Sequence, residues 1–413
     1  AGGGGIGMQR CYSAQELSES FDKVKRLAEH NFKSGGVFIE KFIEHARHIE
    51  VQIFGDGKGK ILAIGERDCS TQRRNQKVIE ECPAPNLTEE TRAALKKTAI
   101  ALGSLVKYRG AGTVEYVFDT DENRFYFLEV NTRLQVEHGV TELVYGVDIV
   151  RMMLELGAGE LEPIEDIEKR ISAHGHAVEA RLYAEDPAKN FRPSAGVVST
   201  VEFPEQDRKT VRIDTWIESG SVVSSLFDPM LAKLITFAPS RDEAINRLSD
   251  VLKDSTVYGI ETNQQYLISL LNSDLLREGR ILTRSLNDYT YSSNTIDILS
   301  AGTQTTIQDY PGRTGYWSIG VPPSGPFDNL SFRLANRILN NSEDCSALEI
   351  TVTGPTMVFN CDNEIVLTGA TIGATLDGSS VPMYKAVKVN KGQTLKVGRV
   401  KEDGARAYLA VQG

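Results

Sequence analysis

One stretch, FLEVNTRLQVEHGVTE at residues 127–142, constrains this chain more than any other. It starts in an apolar run, Phe125-Tyr126-Phe127-Leu128, and then sets Glu129, Asn131, Arg133, Gln135 and Glu137 at every second position. On an extended chain, residues two apart share a face. If the segment is extended throughout, that face carries carboxylate, amide, guanidinium, amide and carboxylate in a row. A hydrophobic core excludes such a set unless it is paired. The alternation therefore predicts one continuous strand edge that serves a polar site.

The preceding residues explain what the site could hold. GTVEYVF, the polar turn DTDEN and RFYFLEVN read as a β-hairpin. A turn centred on Glu122 places Glu115 opposite Glu129. Directly opposed side chains have Cβ atoms about 4.5–5.5 Å apart, and like charges there destabilise a sheet. A hard divalent ion, Mg²⁺ or Mn²⁺, removes that penalty, takes oxygen ligands and keeps positions open for phosphate oxygens. Asn131 adds a third oxygen on the same face. Two solvated glutamates are the plainer reading, but the flanking Phe, Tyr, Val and Leu residues argue against exposure.

A metal that holds phosphates calls for a phosphate cradle. AGGGGIGM offers backbone N–H groups at Gly2, Gly3, Gly4 and Gly5 that an anion can approach closely. It lacks the G-K-[ST] of a Walker loop, and by itself it reads equally as a flexible terminus. A third cluster, ERDCSTQRRNQKVIEE at residues 66–81, interleaves Arg67, Arg73, Arg74 and Lys77 with Gln72, Asn75 and Gln76. A charge run is usually a solvated face. This mixture of amides and guanidinium groups also suits a small oxyanion, for which arginine supplies paired donors.

A chain of 413 residues predicts two or three domains. Ser13 and Glu16 predict a capping box for a helix with Leu17, Phe21, Val24 and Ala28 as its apolar stripe. Strands are expected at Val37–Ile43 and His48–Gly55, a helix over 89–106 with Thr88 as cap, and another around 148–156. From about Ile171 short strands prevail, including HAVEARLY, with a helical segment near 241–252. The polar stretch YTYSSNT at 289–295 reads as a linker, and a β-branched, Gly-Pro-rich region follows. His174 and His176 alternate on one strand and are read as packing.

With 46 basic and 56 acidic residues, the net charge of −10 disfavours a general nucleic-acid or acidic-membrane binder. Cys11, Cys69, Cys82, Cys345 and Cys361 are odd in number and scattered, with no C-x-x-C, which points to reduced thiols in a cytoplasmic setting. No long apolar run or signal peptide is visible.

AGGGGIGM, EKFIEHARHIEVQ, ERDCSTQRRNQKVIEECPAP, YRGAGTVEYVF, FLEVNTRLQVEHGVTE, HAVEARLYAEDP and FDPMLAKL occur here in the order in which biotin carboxylases, which are ATP-grasp enzymes, carry them. The resemblance covers about residues 1–288. TIQDYPGRTGYWSIGVPPSGPFDNLSFRLANRILNN resembles the start of the carboxyltransferase domain of urea carboxylase, and the pairing resembles the urea amidolyase family. The implied fold is a multidomain α+β chain. It comprises an ATP-grasp domain over 1–165 that is N-terminally truncated, a biotin carboxylase C-terminal domain over 166–290, and a β-rich carboxyltransferase start over 296–413.

The resemblance also implies roles. Glu115, Glu129 and Asn131 would bind the Mg²⁺ or Mn²⁺ of the ATP complex. Gly2 to Gly5, Glu40, Lys41, His48 and Gln72 would contact ATP. Lys77, Arg133, Gln135 and the Val136 N–H would hold bicarbonate, Glu137 would be the general base, and Arg181 would stabilise the biotin enolate. Partners would be bicarbonate, a biotin carrier domain and, through the carboxyltransferase domain, urea; oligomerisation is left open. The implied reaction is ATP-dependent carboxylation of carrier-linked biotin through carboxyphosphate, feeding conversion of urea to allophanate. Alternatives are the biotin carboxylase part of an acyl-CoA or pyruvate carboxylase, or a non-catalytic nucleotide- or partner-binding piece. Ile6 stands where relatives often show Lys or Arg, and Asn75 where many have His. The α/β subdomain and the two ATP-contacting lysines that precede the glycine loop in relatives do not appear, so the 413 residues alone are expected to be inactive.

Overall fold

The computed structural model describes residues 8–33, 35–401 and 404–413. They form two compact units, Ala1–Tyr291 and Ser292–Gly413.

The first unit is organised by period-2 alternation in long strands. In β1 (Ala46–Asp56), Ile49, Val51 and Ile53 enter an apolar cluster with Leu95 and Ala99 of helix α2 (Glu89–Leu105). The intervening His48, Glu50 and Gln52 face the other way. Nearly all of β1 is buried, so the sheet separates a hydrophobic layer from a polar one, both out of water. Strands β2 (Ile61–Arg73), β3 (Gln76–Cys82), β4 (Arg109–Asp119), β5 (Arg124–Asn131) and β6 (His176–Tyr183) join β1 in one sheet. With the strands Val211–Thr215 and Met230–Ala238 they make eight strands in the order Val211–Thr215, Met230–Ala238, β6, β3, β2, β1, β4, β5. Every neighbouring pair is antiparallel. The sheet thus runs without a break from the expected ATP-grasp region into the expected biotin carboxylase C-terminal region.

Helix ends follow their caps. Thr88 accepts from the Thr91 N–H at 3.2 Å to start α2. Asp148 does the same for Arg151 at 2.8 Å, opening the helix Ile149–Ala158. Ser240 and Glu243 form a reciprocal capping box at the head of the helix Arg241–Lys253. Its Ala244, Ile245, Leu248 and Leu252 pack against Val178, Ala180 and Leu182 of β6. The second unit holds two five-stranded sheets around a core that includes Ile350, Met357, Phe359, Leu367, Leu395 and Leu409. Its helix Asn329–Ile338 is capped by Asp328.

Three expectations need correction. Val37–Ile43 forms no strand, and Phe38, Ile39 and Phe42 are exposed; among the described residues no neighbouring strand supplies the ladder that its β-rich composition would need. Helix α1 (Ala14–Phe32) does begin at Ser13, but Glu16 reaches the Tyr12 N–H at 2.8 Å instead of closing a box on Ser13. Of the four stripe residues in this helix only Ala28 is buried. The alternating row is not one extended edge either. β5 ends at Asn131, residues 132–137 form an irregular turn, and helix α3 (His138–Tyr145) begins directly after Glu137.

Candidate active site

The β4–β5 hairpin positions the first group. Its four-residue turn alone would set Tyr116 against Phe127 and Glu115 against Leu128. A bulge after Tyr116↔Phe127 absorbs Leu128 and brings Glu115 opposite Glu129, with Thr113 opposite Asn131. Cross-strand partners share a face. The row Arg67↔Glu50↔Glu115↔Glu129 therefore crosses four strands on the polar layer. Glu115 is buried, whereas Glu129 is exposed and lies 3.4 Å from the Asn131 amide nitrogen.

Arg67 organises what lies beneath. Its side chain is wholly buried, and all five of its N–H donors point at acceptors. They are Glu50 (2.6 Å), Gln52 (2.8 Å), Thr141 (2.9 Å), Gln135 (3.2 Å) and Thr113 (3.4 Å). Arg67 is thus committed to the scaffold and is not free to bind a substrate anion. Gln135, oriented by Arg67, donates to Glu115 Oε1 at 2.8 Å. Arg73 pairs with Glu185 and Arg74 with Asn190, which takes both away from this cluster.

Lys77 stands at the centre. Its ammonium donates to Glu50 at 2.8 Å, to Glu115 at 3.4 Å and, more closely, to Glu137. Burial alone would raise the Glu50 carboxyl, but Lys77 and Arg67 outweigh it and hold it well below the usual range. Burial is likewise outweighed at Glu115, where His48 and Lys77 lower the carboxyl. Gln72 lies 2.9 Å from His48 Nδ1, and His48 Nε2 faces Glu115 at 3.3 Å. Burial lowers the imidazole, but Glu115 and Glu50 outweigh it and raise it to about 9. His48 and Gln72 are therefore brought together beside the carboxylates.

Glu137 occupies the N-cap position of α3 yet makes no capping hydrogen bond. Its carboxylate turns instead to Lys77 and, through Oε2, to Arg181 Nη2 of β6 at 2.9 Å. Lys233 donates to the Val136 carbonyl at 2.7 Å and so fixes the turn that leads into Glu137. Arg212 pins α3 from the far side by pairing with Glu142 at 2.6 Å.

The structure gathers His48, Gln72, Lys77, Glu115, Gln135, Glu137 and Arg181, but not every expected residue. Arg133 is exposed, and its nearest polar contact is the Leu134 carbonyl at 3.4 Å. Lys41 pairs with Glu122 at the hairpin tip (3.1 Å), and Glu40 is exposed. Gly2, Gly3, Gly4 and Gly5 lie outside the described residues. His176 contacts Glu81 at 2.8 Å, a buried packing pair. Sequence reasoning missed Glu50, although the alternation of His48, Glu50 and Gln52 in HIEVQ was a readable signal. It also missed Glu80, Glu179 and Lys233, whose place depends on strand order.

Glu115, Glu129 and Asn131 fit a hard divalent ion, because all three present oxygens. Around Lys77 the carboxylates of Glu50, Glu115 and Glu137 are met by the cations Lys77, Arg67 and Arg181. All five cysteines are free thiols, and among the described residues no helix is long and apolar enough to cross a membrane.

Comparison with known proteins identifies the family of the chain. Family models match in the order carbamoyl-phosphate synthase L chain ATP binding domain (residues 1–164), biotin carboxylase C-terminal domain (179–288) and carboxyltransferase domain, subdomain A and B (319–413). Urea amidolyase of Saccharomyces cerevisiae is 51% identical over 413 residues, 100% of this chain and 22% of that protein. A putative urea carboxylase of Emericella nidulans is 44% identical, covering 100% of this chain and 34% of that protein. The chain thus spans about a fifth to a third of the length of these relatives. The crystal structure of Kluyveromyces lactis urea carboxylase superposes with a TM-score of 0.80 at 44% identity, over 99% of this chain and 34% of that one. The biotin carboxylase domain of Hydrogenobacter thermophilus 2-oxoglutarate carboxylase, solved with MgADP and bicarbonate, gives 0.66 at 35% identity, over 70% of this chain and 64% of that one. The ordered motifs, the hairpin site and these likenesses together show that the chain belongs to the urea amidolyase and urea carboxylase family, with ATP-grasp, biotin carboxylase C-terminal and carboxyltransferase regions in succession.

Proposed function

We propose that this protein carboxylates carrier-linked biotin at the expense of ATP and bicarbonate, through carboxyphosphate, as the first half of urea carboxylation to allophanate. The observation that carries the reading is the Glu137 carboxylate held between Lys77 and Arg181, beside the opposed pair Glu115 and Glu129. Bicarbonate must lose a proton as its oxygen attacks the γ-phosphate of ATP, so a fixed carboxylate among cations suits the step. Glu137 takes that proton. Lys77 and Gln135 hold the bicarbonate oxygens with the Val136 N–H, and Arg133 joins them by swinging inward from its exposed position. Arg181 faces the ureido oxygen of biotin, where negative charge grows as the neighbouring nitrogen attacks carbon dioxide.

Glu115, Glu129 and Asn131 would hold Mg²⁺ or Mn²⁺, which when bound neutralises the charge on the ATP phosphates. His48 and Gln72 flank the nucleotide, with Glu40, Lys41 and the glycine loop completing its binding. In this reading residues 1–165, 166–290 and 296–413 are the three functional regions. The partners are a biotin carrier domain and, at the carboxyltransferase, urea, in the cytoplasm.

The test is release of ADP by the natural full-length protein with bicarbonate, biotin and urea supplied or withheld. Cleavage that requires bicarbonate, rises with biotin and fails in Glu137→Gln supports the reading. Cleavage indifferent to bicarbonate, or intact in Glu137→Gln, overturns it.

A further inference from the structure

We infer that Glu80 is a positioning residue for this chemistry: it holds Arg181 from the sheet side and keeps the guanidinium from closing fully on Glu137. The inference rests on the biotin-carboxylating reading above. Glu80 lies in the middle of β3, is 0% exposed and stands directly opposite Glu179 of β6. Among the described residues its single ion pair is with Arg181, through Nη2. The same nitrogen donates to Glu137 Oε2 at 2.9 Å. One guanidinium nitrogen is therefore shared by a carboxylate fixed in the sheet and a carboxylate at the head of α3.

Folding alone does not call for this arrangement. Taking a carboxylate out of water costs several kcal/mol, and well-packed apolar residues often replace a buried ion pair without loss of stability. What the charge of Glu80 does accomplish is geometric. A guanidinium beside a lone carboxylate tends to close into a bidentate pair. With Glu80 drawing Nη2 toward β3, Arg181 touches Glu137 through one nitrogen and one oxygen, while Lys77 takes Oε1. Glu137 is left less heavily paired, hence a stronger base, and the rest of the Arg181 head stays available to an incoming anion.

Glu80→Gln keeps the shape and removes the charge, and the full-length protein is the material for the test. Stronger pairing with Arg181 should favour ionised Glu137, so the acid limb of the pH profile for bicarbonate-dependent ATP cleavage should move down by about half a unit or more. KM for biotin should rise about fivefold or more while KM for MgATP stays within about twofold. In an Arg181→Ala background the same substitution should change neither parameter further, because a residue that acts through another loses its effect once that other is gone. An unmoved pH profile with an unmoved biotin KM, or an undiminished effect in the Arg181→Ala background, overturns the inference. If Glu80→Gln fails to fold, the double variant decides: recovery of folded protein supports the pairing, and a second failure makes Glu80 a packing group and overturns it. Wild-type protein that lacks bicarbonate-dependent cleavage would sink the underlying reading, whereas active wild type with an indifferent Glu80→Gln sinks this inference alone.

Discussion

Arg67 on β2 and Glu50 on β1 meet at 2.6 Å with no solvent access to either side chain. They are cross-strand partners, and Arg67 also carries Gln135 toward Glu115. Cutting such a pair leaves a buried charge without compensation. Arg67→Ala should therefore lower stability by about 3–5 kcal/mol, measured as a fall in denaturant midpoint at unchanged slope. A midpoint close to wild type would mean that the network tolerates loss of its centre.

The hairpin pair predicts an asymmetry. Glu115→Gln and Glu129→Gln should both weaken Mn²⁺ binding and slow bicarbonate-dependent ATP cleavage in the full-length protein, since each removes one charge facing the ion. Stability should separate them. Glu129 is exposed, so its substitution should stay within about 0.5 kcal/mol. Glu115 partners Lys77, His48 and Gln135, so losing its charge should cost about 1–3 kcal/mol. Electron paramagnetic resonance titration of Mn²⁺ and chemical unfolding of both variants check this. Normal turnover of both at limiting Mg²⁺ would remove the metal assignment.

The two arginines should also part company. Arg133→Ala should impair use of bicarbonate yet leave stability within about 0.5 kcal/mol, because the side chain is exposed. Arg181→Ala leaves Glu80 buried and unpaired, so it should cost about 3–5 kcal/mol. It should also depress carboxyl transfer to biotin more than ATP cleavage. Equal loss of both activities in both variants would show that the division of labour is wrong.

Glu179 sets a pH dependence. It is wholly buried, and neither carboxylate oxygen has a hydrogen-bond partner among the described residues. Burial pushes its carboxyl up from 4.5 to about 8, with Lys233 opposing the rise. A carboxyl raised in the folded state contributes its full stability below the unfolded value. That contribution is lost as pH climbs from about 4.5 through about 8. Glu179→Gln cannot ionise, so its stability relative to wild type should improve steadily between those limits. Unfolding curves at pH 5.5 and pH 8 test the sign, and a constant difference would mean that Glu179 ionises normally in the fold.

Much of the local structure was legible because it depends on near neighbours. Thr88 is a cap whose side chain bonds a backbone N–H three residues on. Alternation in β1, β4 and β6 reveals two-faced strands, and the β4–β5 hairpin was readable, although the bulge at Leu128 and not the turn sets Glu115 against Glu129. The row from Glu129 to Glu137 was legible in its chemistry but not in its path. An extended continuation would have kept Gln135 in line with β5. Arg67 and Glu115 instead draw Gln135 inward, and α3 starts beside it.

By itself, then, the sequence determined the family, the Thr88 cap, the hairpin and most residue types of the site. Tertiary structure alone decided that Arg67 is scaffold rather than anion binder, that Arg73 and Arg74 turn away, that Val37–Ile43 is no strand, and that Glu80 and Lys233 enter the site. The physical reason is the strand order. β6 lies beside β3, and Met230–Ala238 beside β6, so residues some 50 to 100 positions apart meet on one buried polar face. Which charges neutralise one another there depends on long-range pairing, and no local pattern records it.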